Sequence, residues 1–470
     1  MSRRSDAVRP EVPAKDAARV NRRTLVKQAG AAAGLGVLAA SGVAKVAAAP
    51  ASRRRTAYRQ DATELTMWVS FPELDLLLTE LIPRYAEVNP NVTVTKTLYP
   101  QRALEEKMAA ALPAGQGPDV FAVDRFEIFP YYLNEEASPF TGEMADYITQ
   151  NWPEFAVTGA TAPESGELYA LPWITSPKMM FYNQTMFETA GITALPTTVD
   201  EMMAAAEKLT VRDANGRITT QGIDLRLTGG GAGLSQKYWT QAMIPHGAPV
   251  LAADGDRYSA GYGNEQGAAA LNMYLNALYT RKVATYDVKH DAEGFGLGQA
   301  AMFQRESWVV TYLQQTHPDL RYGAFPMPKG PGGWGTVPNT IAIGMTSTSQ
   351  NQEAAMEFLR WLTDEANTVA TYDISGWQPW RTEGIDFGDL FTRKPVLKQF
   401  IDVLNMPDHQ LFDYQNIPPI SEIHTRLADR LVGAFEMQEI TDDLGAVQEV
   451  VNETADETNR ILSDWDLLAE

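Results

Sequence analysis

The 470-residue chain contains no cysteine. That absence excludes a disulfide framework, a thiol nucleophile and a lipid anchor attached through a cysteine. Stability must come from core packing, which a chain of this length can supply. Histidine is scarce as well. His246, His290, His317, His409 and His424 are scattered, with no H-E-x-x-H motif or close pairing, so no zinc site is expected. There is no G-x-S-x-G. The glycine-rich run 229–233 lacks the G-K-[ST] of a phosphate loop, and Asp254-Gly255-Asp256 lacks the remaining ligands of a calcium loop. Basic charge is in deficit, with a formal net charge of −20 at pH 7. Residues 1–48 hold nine Lys/Arg against three Asp/Glu, a net of +6, which leaves about −26 for the remainder. Such a surface repels nucleic acid and anionic membranes. A soluble monomer with no cofactor, no metal and no nucleic-acid partner is expected.

What is present reads as an ordinary globular chain behind an export segment. Hydrophobic residues make up 44% of it, the share of a packed protein. Asn21-Arg22-Arg23-Thr24-Leu25-Val26-Lys27 carries paired arginines before a weakly apolar Ala/Gly stretch, Ala29 to Ala44, closed by Lys45 and small residues. The pattern resembles a twin-arginine export signal cleaved near Ala48 or Ala51. The stretch is short and broken by glycine, unlike a membrane anchor. Residues 1–60 are therefore expected to be signal and lead-in, and the mature protein periplasmic or extracellular.

From Leu65 onward the apolar periodicity becomes organised. Leu65-Thr66-Met67-Trp68-Val69 reads as a strand running into Ser70-Phe71-Pro72. Leu74, Leu77, Leu78, Leu81, Tyr85 and Val88 then recur at helical spacing until Asn89-Pro90-Asn91. Residues 92–98 alternate as a second strand ending at Tyr99-Pro100, and a helix over about 101–112 is closed by Pro113 and Gly115. Gly117-Pro118-Asp119 turns into the apolar run Val120-Phe121-Ala122-Val123, which suits an interior strand of a parallel sheet. Right-handed crossovers would make the three strands parallel. Their carboxyl ends would then gather Ser70, Phe71, Tyr99, Asp124 and Arg125, where open α/β sheets hold ligands. A carboxylate beside a guanidinium offers acceptors and a fork of donors, as a polyhydroxylated ligand requires. The plainer alternative is a solvated surface pair.

Further on, Gly166-Glu167-Leu168-Tyr169-Ala170-Leu171-Pro172-Trp173 leads to Met179-Met180-Phe181-Tyr182-Asn183, another buried strand. Gln299-Ala300-Ala301-Met302-Phe303 with Trp308 follows, then Phe325-Pro326-Met327-Pro328-Lys329-Gly330, Ile341-Ala342-Ile343, and Glu353-Ala354-Ala355-Met356-Glu357-Phe358-Leu359. Gly376-Trp377-Gln378-Pro379-Trp380-Arg381 completes the series. In this order, and with the Gly117-Pro118-Asp119-Val120 segment, the chain resembles the extracellular solute-binding proteins of family 1, the sugar-capturing subunits of ABC importers. The resemblance runs from about Leu65 to Trp465. It implies an α/β, periplasmic-binding-protein-like fold (type II), with two α/β lobes around a ligand cleft. Lobe I would comprise about 61–171 plus 327–376, and lobe II about 172–326 plus 377–470, with Pro-rich crossings near 171–177 and 326–331. It also implies capture of a sugar or oligosaccharide by lobe closure, no catalysis, and delivery to the permease subunits of an ABC importer.

Within that family, Asp124-Arg125-Phe126 is similar to a segment that holds sugar hydroxyls, and Trp308 falls where a ring stacks on a pyranose. Sugars present a face of C–H groups and an edge of hydroxyls, so flat aromatics with polar neighbours suit them. Asn416-Ile417-Pro418 resembles the family's late segment before a helix. Glu306 departs from the family's usual glycine, and an extra carboxylate there would narrow the pocket or select another ligand. The expected ligand set is Ser70, Tyr99, Asp124, Arg125, Trp239, Glu306, Trp308, Trp334, Trp377, Gln378 and Arg381. Trp308 as plain core is the competing reading. Two other functions stay open. A secreted glycoside hydrolase would use two carboxylates such as Asp124 and Glu306, and a periplasmic sugar sensor would present its ligand to a receptor.

Overall fold

The computed structural model describes residues 63–229 and 231–469, so the expected export segment lies outside the described residues. β1 (Thr63–Val69) buries Leu65, Met67 and Val69 on alternate positions. α1 (Pro72–Val88) starts on a proline, whose missing N–H is no loss at a helix start. Leu74, Leu77, Leu78, Leu81 and Tyr85 form its buried stripe, whereas Val88 is exposed. β2 (Val92–Leu98), α2 (Gln101–Ala111), β3 (Val120–Asp124) and α3 (Arg125–Leu133) continue the alternation. β1 pairs in parallel with both β2 and β3, the arrangement that right-handed crossovers give. Every residue of β3 is buried, as befits a strand covered on both faces.

β4 (Leu171–Ser176) and β5 (Met179–Asn183) are separated only by Pro177 and Lys178, yet they belong to different sheets. The elements that complete the site are α4 (Gly231–Tyr238), β6 (Met302–Arg305), α5 (Val309–Thr316), β7 (Tyr322–Pro326), β8 (Asn339–Thr346), β9 (Gln378–Pro379) and α6 (Ile420–Phe435). The first sheet runs β9-β4-β8-β3-β1-β2, with β8 antiparallel to β3 and to β4, and β9 antiparallel to β4. The second sheet, β6-β5-β7, is antiparallel throughout.

Each sheet has its own core, and the fold is mixed α/β in two lobes. One core gathers Leu65 to Ile174 with Ile341, Phe358 and Leu362. The other gathers Met180 to Val337 with Tyr414 to Leu462, extended by a cluster around Phe181, Phe303, Leu313 and Phe400. Trp377 and Trp380 pack in the first core, although the chain from 377 onward is expected in lobe II, because β9 pairs with β4. The following stretch, from Phe387, packs with the second lobe's cluster. Trp308 packs against the first core and against that cluster, so it stands where the lobes meet.

Candidate functional site

The parallel register of β1, β2 and β3 sets Ser70, Tyr99 and Asp124 side by side at the carboxyl ends of the strands. Ser70 is buried and its Oγ has no hydrogen-bond partner among the described residues. The Tyr99 ring meets Trp68 edge-on at 5.5 Å, and Lys107 Nζ lies 5.4 Å from its centroid. Asp124 is buried. Its Oδ2 accepts from Gln101 Nε2 at 3.1 Å, and its Oδ1 has no partner. Burial pushes this carboxyl up to about 7, with Glu105 and Glu306 adding to the rise and Lys178 opposing it.

Arg125 does not join Asp124 at the ligand. Its guanidinium donates to Asp413 Oδ1 at 2.6 Å, Asn416 Oδ1 at 2.7 Å, the Tyr169 hydroxyl at 2.5 Å and the Tyr414 carbonyl at 3.3 Å. It also donates to the Gly159 carbonyl. A Cβ on Gly159 would come within 2.7 Å of Asp413 Oδ2, so this knot requires glycine there. With its donors spent on protein acceptors, Arg125 positions the segment that leads into α6. Asn416 belongs to the same knot, donating to the Gly159 and Thr161 carbonyls at 3.0 and 3.1 Å.

The opposing rim belongs to the second sheet. Lys178, between β4 and β5, is fully buried and donates to the Val337 carbonyl at 2.9 Å. Its Nζ lies 3.4 Å from Glu306 Oε1. Arg305 Nη1 donates to Glu306 Oε2 at 3.0 Å, and its other nitrogens hold Asp291 at 2.5 Å. Lys237 Nζ lies 3.5 Å from Asp291. Burial works against the charge on Glu306, but Arg305, Lys178 and Lys237 outweigh it and hold the carboxyl down to about 2. Asp291 is likewise held well below the ordinary range, by Lys237 and Arg305. Burial lowers the Lys178 ammonium to about 8 despite Glu306. Trp308, just before α5, donates its Nε1 to Glu306 Oε2 at 3.3 Å, and the Arg305 guanidinium lies 5.0 Å from its ring.

Of the expected ligand set, Asp124, Glu306 and Trp308 converge through Lys178, and Ser70 shares the first rim. Trp377 is near that rim, packing edge-on against Phe71 at 5.8 Å. Gln378 is buried beside β4 with its Oε1 unpartnered. The others are elsewhere. Trp239 is buried in the second core against Phe412 and Tyr414. Trp334 is tied to the Met327 carbonyl at 2.6 Å, with Lys329 Nζ 4.1 Å from its ring. Arg381 donates to the Thr363 carbonyl at 3.2 Å. Trp334 and Arg381 already have hydrogen-bond partners within one lobe, whereas the buried Nε1 of Trp239 has none among the described residues. Sequence reasoning missed Lys178, Lys237, Asp291 and Arg305. The available signal was Lys178 itself, a lone charge inside an apolar run, which is buried only when paired. Tyr414 was also missed; it stacks on Phe126 at 4.3 Å with its buried hydroxyl unpartnered. Among the described residues no group of His, Asp and Glu could hold a metal ion, and no helix is long and apolar enough to cross a membrane.

With this geometry in place, the chain can be set beside known proteins. A family model described as bacterial extracellular solute-binding protein matches residues 69–369. A putative binding protein of Brucella abortus (strain 2308) is 25% identical over 277 residues, 58% of this chain and 65% of that one. The diacetylchitobiose binding protein DasA of Streptomyces coelicolor is 23% identical over 264 residues, 55% and 59%. The chain thus spans less than two thirds of the length of these curated relatives. Among solved structures, maltose-bound MalE3 of T. maritima matches with a TM-score of 0.72 at 19% identity, covering 85% of this chain and all of that one. The GacH receptor of Streptomyces glaucescens, solved unliganded and with acarbose, gives 0.72 at 18%, covering 86% and 99%. These likenesses show the fold.

Proposed function

The chain belongs to the bacterial extracellular solute-binding protein family, and we propose that it captures a mono- or oligosaccharide between its lobes without turning it over. The observation that carries the reading is a pair of buried, unpartnered polar atoms on the first rim, Ser70 Oγ and Asp124 Oδ1, facing a rim that carries Trp308 at the junction of the lobes. A buried acceptor left unmade costs about 1–3 kcal/mol, and a ligand hydroxyl would relieve that cost. A ring beside such groups suits the C–H face of a sugar. The ligands named for similar proteins (diacetylchitobiose, maltose and acarbose) support the class. Both oxygens of Glu306 are engaged by cations, which argues against its acting as nucleophile or acid in a glycoside hydrolase.

A ligand gripped from both rims favours the closed arrangement by its difference in affinity for the closed and open forms. The crossings near Pro172 and Pro326 would absorb the rotation. The closed form is then the state an ABC permease would read. Export through the twin-arginine segment would place the protein, as a monomer, in the periplasm or outside the cell. A saccharide panel read by thermal unfolding tests this, since a ligand of the folded state raises its stability. The hit should be recovered intact by chromatography and should shrink the radius of gyration in small-angle scattering. Cleaved sugar, or an unchanged radius at saturation, would sink the reading.

A further inference from the structure

Cations outnumber their partners on the second rim. Gln221 and Asp224 bridge in parallel to Ala300 and Phe303, so the stretch they begin runs beside β6 and brings Arg226 level with Arg305. Lys178, Arg226, Lys237 and Arg305 thus share one neighbourhood with Asp224, Asp291 and Glu306. Each carboxylate is already engaged. Asp291 takes two nitrogens of Arg305 at 2.5 Å. Glu306 lies between Lys178 and Arg305. Asp224 accepts from Gln221 at 3.1 Å and from the Asp291 amide at 2.5 Å, with the His290 ring 2.6 Å away. Four cations thus stand against three carboxylates, and the excess falls on Arg226 and the weakly held Lys237. Lys237 is buried and reaches only Asp291, at 3.5 Å, which Arg305 already holds. Arg226 is half-buried and has no ion pair or hydrogen bond among the described residues. Its guanidinium lies 3.5 and 3.4 Å from where a Cβ on Gly229 or Gly233 would stand, so the absence of side chains there keeps it open.

We infer that the captured saccharide carries an anionic substituent, a carboxylate, sulfate or phosphate group, received by Arg226 with Lys237; this rests on the capture reading above. A cation partly withdrawn from water with no ion pair of its own is unfavourable, and a hydroxyl offsets little of that. An oxyanion can accept two parallel bonds from the planar guanidinium and neutralise it. The same crowding is visible in the titration of both groups: burial and Arg305 hold Arg226 down and bring Lys237 to about 8.

The test uses matched pairs with the full exported chain: galactobiose with digalacturonate, N-acetylglucosamine with its 6-sulfate, and glucose with glucose 6-phosphate, by thermal unfolding and calorimetry. The expected result is that an acidic member binds at least about tenfold tighter than its neutral partner, the difference a charged hydrogen bond makes. Which pair responds identifies the anion. Arg226→Gln should abolish that preference, and Arg226→Lys should keep most of it. Binding of neutral members alone overturns this inference and leaves the capture reading standing. Binding of no member overturns both. An acidic preference that survives Arg226→Gln overturns the assignment to Arg226.

Discussion

Asp124-Arg125 and Arg305-Glu306 are the same kind of feature, an acid and an arginine adjacent in sequence at the carboxyl end of a buried strand. They behave in opposite ways. In the second, the neighbours pair with each other at 3.0 Å and recruit Lys178 and Asp291 into one network. In the first, Arg125 turns to Asp413, and Asp124 keeps only a glutamine. The consequence is electrostatic: one carboxyl is held down to about 2 and the other is pushed up to about 7, although both are buried. Burial alone therefore does not set the charge of a site; the cations and anions around the carboxyl decide with it. The second rim is a charged, ion-paired floor. The first holds a carboxyl with one buried oxygen that has no partner among the described residues.

The sharpest way to break the contrast is Glu306→Ala. It would leave Lys178 and Arg305 buried without their shared carboxylate, and the expected loss of stability is about 3–5 kcal/mol in urea unfolding. A loss below about 1 kcal/mol would put this network on a par with a surface pair. Next in size is Arg125→Lys, which keeps the charge but loses the fork that reaches Asp413 and Asn416 together. A cost of about 1.5–3 kcal/mol is expected, because hydrogen bonds to charged groups are of that size. If Arg125 were a ligand contact instead, this variant would lose affinity at unchanged stability.

For Asp124→Asn the size of the change in stability depends on pH. The Asp124 carboxyl rises from 3.8 to about 7 on folding, so the folded state holds a proton that the unfolded chain releases in between. Stability from this group is present below about 4 and declines as pH rises toward 7. Glu306 runs the other way: it falls from 4.5 to about 2, so its contribution is present above 4.5 and is lost as pH drops toward 2. Asp124→Asn should match the parent near the low end of the first window and exceed it near neutral pH. The same variant should bind the ligand about tenfold more weakly. Parallel stability curves across that pH range would show that Asp124 stays ionised in the fold.

Much of this was legible in advance. The alternation in β1, the helical stripe from Leu74 to Tyr85 and the apolar run of β3 each state which face is buried, and parallel crossovers follow from their order. The rim of Ser70, Tyr99 and Asp124 comes directly from those strand ends. Where Trp239 and Trp334 pack was beyond reach, because an aromatic ring suits a core or a loop contact as well as a sugar. Periodicity records only whether a side chain faces in or out. What it faces is a distance in space: Arg125 finds Asp413 across 288 positions of chain, and Lys178 finds Glu306 across 128. Hydrogen bonds and ion pairs fade within a few ångströms. The sequence by itself thus determined the strands, the helices and the rim on which charge gathers, and only the tertiary structure decided which charges pair and which stay unpartnered.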